Sequence, residues 1–176
     1  MFKHHIFLCG FMGVGKSTVG KVLSERLELP FIDTDRNVVE LAGKPIPRIF
    51  VEDGEAEFRA IERRALENLS TNATSVVALG GGTLSAPTNL DFVRRNGILV
   101  YLSASLENLS ARLSETAESR PLLAGLSDET RRKRIEHLMQ TRETVYQQAD
   151  HQVDTDDRQI GEIVEQILVH FRRRMQ

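Results

Sequence analysis

The sequence predicts an α/β fold: a parallel sheet with helices packed on both of its faces. Three observations carry that expectation. Short apolar runs of strand length, such as Ile6-Phe7-Leu8-Cys9 and Ile98-Leu99-Val100-Tyr101-Leu102, alternate with segments whose apolar residues recur at helical spacing. The runs are apolar throughout, as strands covered on both faces require. Polar or glycine-rich groups follow the first three runs, at the carboxyl ends where ligands gather in open parallel sheets: Gly10, then Asp33 with Asp35, then Gly80, Gly81 and Gly82.

The first run ends in Gly10-Phe11-Met12-Gly13-Val14-Gly15-Lys16-Ser17-Thr18, a glycine, four residues, then Gly-Lys-Ser. Val19, Val22, Leu23 and Leu27 follow at helical spacing, so the loop stands between a strand and a helix. In that setting its backbone N–H groups and the positive end of the helix face a nucleotide phosphate. Lys16 adds a point charge at the β- and γ-phosphates, and the Ser17 hydroxyl is a ligand for Mg²⁺.

Leu29-Pro30-Phe31-Ile32 leads through Asp33-Thr34-Asp35 as a second strand with an acidic end, and a helix over residues 36–42 stops at Gly43. Pro45 and Pro47 bracket Ile46, and a short turn at Arg48-Ile49-Phe50 runs to Asp53-Gly54. Phe58, Ile61, Ala65, Leu66 and Leu69 mark one face of a helix over residues 55–69. Residues 75–79 form the third strand, and a helix over 88–95 ends at Gly97. After the fourth strand, 98–102, Ser105 caps a helix over 106–113. Residues 114–127, with Arg120-Pro121-Leu122-Leu123 and Gly125, read as an ordered but mobile loop. Ser127 caps a helix reaching residue 149 with Ile135, Leu138, Met139, Thr141 and Val145 facing in; a weak strand at 151–154 and a helix over 160–171 close the chain.

With 176 residues the length suits one domain able to bury a core without disulfides or metal staples. A net charge of −2 gives no electrostatic case for nucleic acid or an anionic membrane as partner. Cys9, the single cysteine, reads as a small buried side chain in the first strand. The N-terminus, Met1-Phe2-Lys3-His4-His5, lacks the pattern of a signal peptide, and no run approaches the length of a membrane span, so a cytoplasmic setting is expected. No histidine has ligand spacing, which argues against a transition-metal site.

Asp33 and Asp35 are two apart, so in extended chain both face one side: one holds Mg²⁺ through its water shell while the other orients or deprotonates a hydroxyl. The alternative is a solvated turn. Three consecutive glycines let backbone approach a ligand closely, or make a flexible turn; their entropic cost favours the ligand. Arg59 stands one turn from Glu62, a spacing equally open to a surface salt bridge, and Arg120 and Arg142 share that alternative. A phosphoryl-transfer transition state spreads negative charge over oxygens, and an arginine on a mobile loop would stabilise it. The basic runs at 131–134 and 172–174 read as solvated helix surface.

These residues together resemble the shikimate kinases, small P-loop enzymes of the nucleoside monophosphate kinase type, over nearly the whole length. The resemblance rests on the phosphate loop, on Asp33-Thr34-Asp35, on Ile49-Phe50 with Asp53-Gly54-Glu55 and Glu57-Phe58-Arg59, on the glycine triplet and on Arg120-Pro121-Leu122-Leu123. Arg142 with Tyr146, and Val153-Asp154-Thr155, complete the order. It implies a three-layer αβα P-loop kinase fold with a five-stranded parallel sheet in order 2-3-1-4-5. A single domain over residues 1–176 would carry an acceptor-binding helical region at 34–63 and a lid at 114–127.

The implied reaction is ATP-dependent phosphorylation of the 3-hydroxyl of shikimate, in aromatic amino-acid synthesis. On this resemblance Gly13, Val14, Gly15, Lys16, Ser17 and Thr18 bind ATP, with Ser17 on Mg²⁺ directly and Asp33 through water. Lys16, Asp35 and Arg120 serve catalysis, Arg120 from the lid. Asp35 meets the shikimate hydroxyls, Arg59 and Arg142 its carboxylate, and Gly80, Gly81 and Gly82 line the same pocket. Arg112 and Arg158 lie near the adenine. The partners implied are ATP and shikimate, with the chain acting as a monomer. A carboxylate-bearing acceptor accords with two arginines, because a guanidinium pairs bidentately with it. Two other readings remain: a kinase of gluconate or a nucleoside monophosphate on the same scaffold, and a nucleotide-binding regulatory module without catalysis.

Overall fold

The computed structural model describes residues 4–71 and 73–174. Met1, Phe2 and Lys3, read above against a signal peptide, and the side chains of Arg173 and Arg174, read as solvated surface, lie outside the described residues. The chain runs β1 (His5–Cys9), α1 (Lys16–Leu27), β2 (Phe31–Asp33), α2 (Thr34–Ala42), α3 (Ile46–Glu52), α4 (Gly54–Glu67) and β3 (Val76–Ala78). It continues through α5 (Pro87–Asn96), β4 (Gly97–Ser103), α6 (Leu106–Ser114), α7 (Asp128–Tyr146), β5 (His151–Asp154) and α8 (Ile160–Arg174).

The strands form one parallel sheet in the order β2-β3-β1-β4-β5, as expected. Side chains of a strand alternate between faces, and β1 shows the consequence. Ile6 and Leu8 enter a core shared with Val19 and Leu23 of α1, Leu109 of α6 and Ile163 and Ile167 of α8. Phe7 and Cys9 enter the opposite core, with Leu66 of α4, Leu90 and Val93 of α5, and Tyr146 at the end of α7. The result is three layers. The connection from β1 runs to β2 on one side of it while that from neighbouring β4 runs to β5 on the other, so the crevice opens at their carboxyl ends.

Several local expectations are corrected. Arg48-Ile49-Phe50, read as a turn, lies within the helix α3: Pro45 is its extended N-cap and Pro47 occupies its first turn, where a missing N–H costs nothing. Asp35 is not in extended chain. The Asp33 side chain accepts from the Asp35 N–H at 3.1 Å, capping α2, so the helix starts at Thr34. Gly97 is the C-cap of α5, as read, and also opens β4. Its backbone is extended, and a Cβ there would stand 2.3 Å from the His5 carbonyl oxygen and 2.5 Å from the Phe7 ring. On α7 Thr141 is exposed, the buried positions including Arg142 and Tyr146, and the helix ends at Tyr146, short of residue 149. Ser105 and Ser127 cap α6 and α7 as read, accepting from the N–H groups of Asn108 and Thr130.

Candidate functional site

The phosphate loop leaves β1 and delivers its chain to the N-terminus of α1. Gly15 is the N-cap, at φ 101°, a left-handed conformation that disfavours any side chain although a Cβ would meet nothing within 4 Å. Lys16 follows at the first helical position, and its Nζ donates to the carbonyls of Gly10 at 2.8 Å and Phe11 at 3.0 Å, folding over the loop's concave side. Burial pulls its ammonium down to about 8, against the attraction of Asp35. The Ser17 hydroxyl donates to Asp33 Oδ2 at 2.6 Å, so the end of β2 and the start of α1 meet through these two side chains.

Beside the loop, one pocket is lined by Asp35 of α2, Arg59 of α4, Gly80, Gly81 and Gly82 after β3, Arg120 of the 114–127 segment and Arg142 of α7. Residues from five separate stretches of sequence therefore converge. Burial raises the Asp35 carboxyl above its ordinary value, and neighbouring Asp33 and Glu62 add to this against Lys16 and Arg120. A carboxyl held in that state is better placed to take a proton than a solvated one. Arg59 donates to Glu62 at 2.8 Å and to Glu55 at 3.1 Å; burial lowers its guanidinium pKa, but the two carboxylates outweigh that and hold it above the ordinary value. Arg142 donates through Nη1 to the Gly81 carbonyl at 3.1 Å, and its guanidinium lies 5.7 Å from the centre of the Phe11 ring in the phosphate loop. It thus touches both halves of the crevice.

The glycines are needed because of what crowds them. A Cβ on Gly80 would stand 2.6 Å from Asp35 Oδ1, and one on Gly82 3.0 Å from Arg59 Nη1. Thr34 accepts from the Gly80 N–H at 2.9 Å, tying the triplet to α2.

Arg112 and Arg158 are brought together on the far side of the phosphate loop, in a second depression with Gly13, Gly15, Thr18 and Thr155. Arg112 reaches Thr155 Oγ1 at 3.4 Å, and Thr155 in turn donates to the Ser103 carbonyl at 2.9 Å. Arg120 faces the pocket of Asp35, not this depression, and its buried Nε has no hydrogen-bond partner among the described residues.

Sequence reasoning missed the burial of Glu62. Offered there as half of a surface salt bridge, it is 2% exposed, and its second oxygen accepts from Thr83 Oγ1 at 2.7 Å. Its position one helical turn from Phe58 and next to Ile61 placed it near the apolar face, which was the available signal. The apolar wall of the pocket was also missed: Met12, Ile46, Phe50 and Leu122 come from three stretches, the phosphate loop, α3 and the 114–127 segment, and no local pattern joins the three.

A family model described as shikimate kinase matches residues 12–172. The chain belongs to the shikimate kinase family. A shikimate kinase of Chlorobaculum parvum is 46% identical over 97% of this chain and 95% of its own, and one of Chlorobaculum tepidum 44% identical over 97% and 93%. Among solved structures, the shikimate kinase from Acinetobacter baumannii in complex with shikimate is 31% identical, with a TM-score of 0.91 over 97% of this chain and 94% of that one. A gluconokinase from Sinorhizobium meliloti, 21% identical with a TM-score of 0.64 over 98% and 93%, shares the fold alone. For a shikimate kinase family member the pocket beside the loop is then the place to look for the acceptor.

Proposed function

We propose that this chain transfers the γ-phosphoryl group of ATP to the 3-hydroxyl of shikimate, giving shikimate 3-phosphate and ADP. One observation carries the reading: Asp35, Arg59, Arg142 and the glycine triplet line a single pocket immediately beside Lys16 of the phosphate loop. In this reading Gly13, Val14, Gly15, Lys16, Ser17 and Thr18 hold the phosphates, and Arg112 and Arg158 flank the adenine. The acceptor carboxylate pairs with Arg59 and Arg142, while Asp35 orients the 3-hydroxyl. That oxygen forms its bond to the γ-phosphorus as the bond to ADP breaks, and its proton passes to Asp35 or to water. Lys16 and Arg120 face the charge that develops on the transferring group.

The donor set also bears on Mg²⁺. One hydroxyl and one carboxylate, Ser17 and Asp33, lie 2.6 Å apart, and no cluster of three or more His, Cys, Asp or Glu suited to a metal occurs among the described residues. A small hard cation that keeps most of its water and takes the rest of its ligands from phosphates fits such a set. Ser17 would hold it directly and Asp33 through water, and when bound it would neutralise charge on the β- and γ-phosphates.

Residues 34–63 would form the acceptor-binding region and 114–127 the lid, in a single domain working as a cytoplasmic monomer. The test is ADP release measured with shikimate, gluconate or AMP as acceptor. Turnover with shikimate alone is expected. Turnover with gluconate or AMP in its place, or ATP binding with no turnover on any acceptor, would overturn the reading.

A further inference from the structure

We propose that Tyr146 is a positioning residue of the acceptor site, holding the Gly81 carbonyl against α7 so that the Gly82 N–H is aimed at the acceptor. The inference rests on the pocket being the shikimate site.

The Tyr146 hydroxyl donates to the Gly81 carbonyl, which also accepts from Arg142 Nη1 at 3.1 Å. Both lone pairs of that oxygen are engaged by α7. A peptide unit is planar and trans, so the N–H of Gly82 points opposite to the C=O of Gly81. Fixing the carbonyl on α7 therefore fixes a donor on the other side, toward the pocket that Gly82 lines. Donors on the carbonyl also polarise the peptide, which strengthens its N–H as a donor.

The clamp matters because of where the freedom lies. Gly80 is held already: its N–H donates to Thr34 at 2.9 Å, and its carbonyl accepts from the Thr83 N–H at 3.1 Å. The peptide between Gly81 and Gly82 is flanked by two residues with no side chain to restrict rotation. Tyr146 supplies the restriction. It is 3% exposed and stacks on Tyr101 with centroids 5.1 Å apart, and Tyr101 donates to Glu143 at 2.9 Å. Burial raises its phenol pKa, so it stays a donor at working pH. Buried behind the triplet, Tyr146 acts on the acceptor through Gly81.

The experiment compares wild type, Tyr146→Phe and, as a control for disturbance of the stack, Tyr101→Phe. Losing one hydrogen bond should raise KM for shikimate about three- to tenfold in Tyr146→Phe, with KM for ATP within about twofold. Tyr101→Phe should leave KM for shikimate unchanged. In labelled wild type, shikimate should move the Gly82 amide proton downfield, and less so in Tyr146→Phe. Equal loss toward both substrates in Tyr146→Phe, an unchanged KM for shikimate, or the same rise in Tyr101→Phe would overturn the proposal. If Tyr146→Phe does not fold, the wild-type amide decides: a Gly82 signal unmoved by saturating shikimate refutes it. Wild type without shikimate turnover would instead defeat the functional reading itself, and the two failures are separately visible.

Discussion

Arg59 reaches the pocket of Asp35 already carrying two carboxylate partners, one of them buried, and this determines what its loss should do. Its guanidinium is pre-aligned by Glu62 and Glu55, so in the proposed role it would meet an acceptor carboxylate without having to be ordered first. Arg59→Ala is expected to raise KM for shikimate by about tenfold or more, with KM for ATP within about twofold; steady-state kinetics with each substrate varied checks this, and equal damage to both would contradict it. Cys9 offers a second residue-scale test. Burial pushes its thiol up to about 12, from an ordinary value of 9.0. The unfolded chain therefore loses this proton near pH 9 while the folded chain keeps it, so the stability linked to Cys9 is complete below pH 9 and is lost as pH rises toward 12. Denaturation of wild type and Cys9→Ala between pH 8 and 11 should show a steeper decline in wild type, and native Cys9 should resist thiol reagents at pH 8 that modify it in denaturant.

Among the elements, Gly97 is a tight point of the sheet. Gly97→Ala places a methyl against the His5 carbonyl and the Phe7 ring where β1 pairs with β4, and a loss of about 2 kcal/mol or more is expected in urea denaturation. Ser105→Ala, removing the α6 cap, should cost about 1 kcal/mol. These two positions also show what was legible. Ser105 is a local signal, a capping residue beside a helical period, and it was read correctly. Gly97 caps the helix before it, as read, but the need for a glycine there comes from His5 and Phe7 of β1, far earlier in the sequence, which no local pattern contains. The same division holds across the site. Gly10 to Thr18 is a motif at fixed spacing and could be read outright. The start of α2 at Thr34 depends on a carboxylate turning back to cap a helix, and extended spacing misplaced Asp35. Glu62 reads as half of a surface pair until Thr83, from the segment after β3, covers it.

For the molecule as a whole, the crevice at the end of β1 is bordered by a segment anchored in the main core. Leu123 is fully buried with the α1, α6 and α8 side chains, while Arg120, three residues earlier, faces Asp35. Leu123→Ala should therefore lower stability by about 2 to 5 kcal/mol and also reduce kcat/KM, because the anchor of Arg120 is loosened; Ala124→Ser, at an exposed neighbour, should do neither. In the proposed reading the phosphate loop, Arg59 with Arg142 and the 114–127 segment together form a kinase of a carboxylate-bearing alcohol. The most direct measurement of that claim is phosphorus NMR of ATP incubated with enzyme, Mg²⁺ and shikimate. The expected spectrum shows ADP and a single new phosphomonoester on the 3-hydroxyl appearing in equal amounts; ADP formed with inorganic phosphate alone, or at a rate indifferent to shikimate, would contradict it.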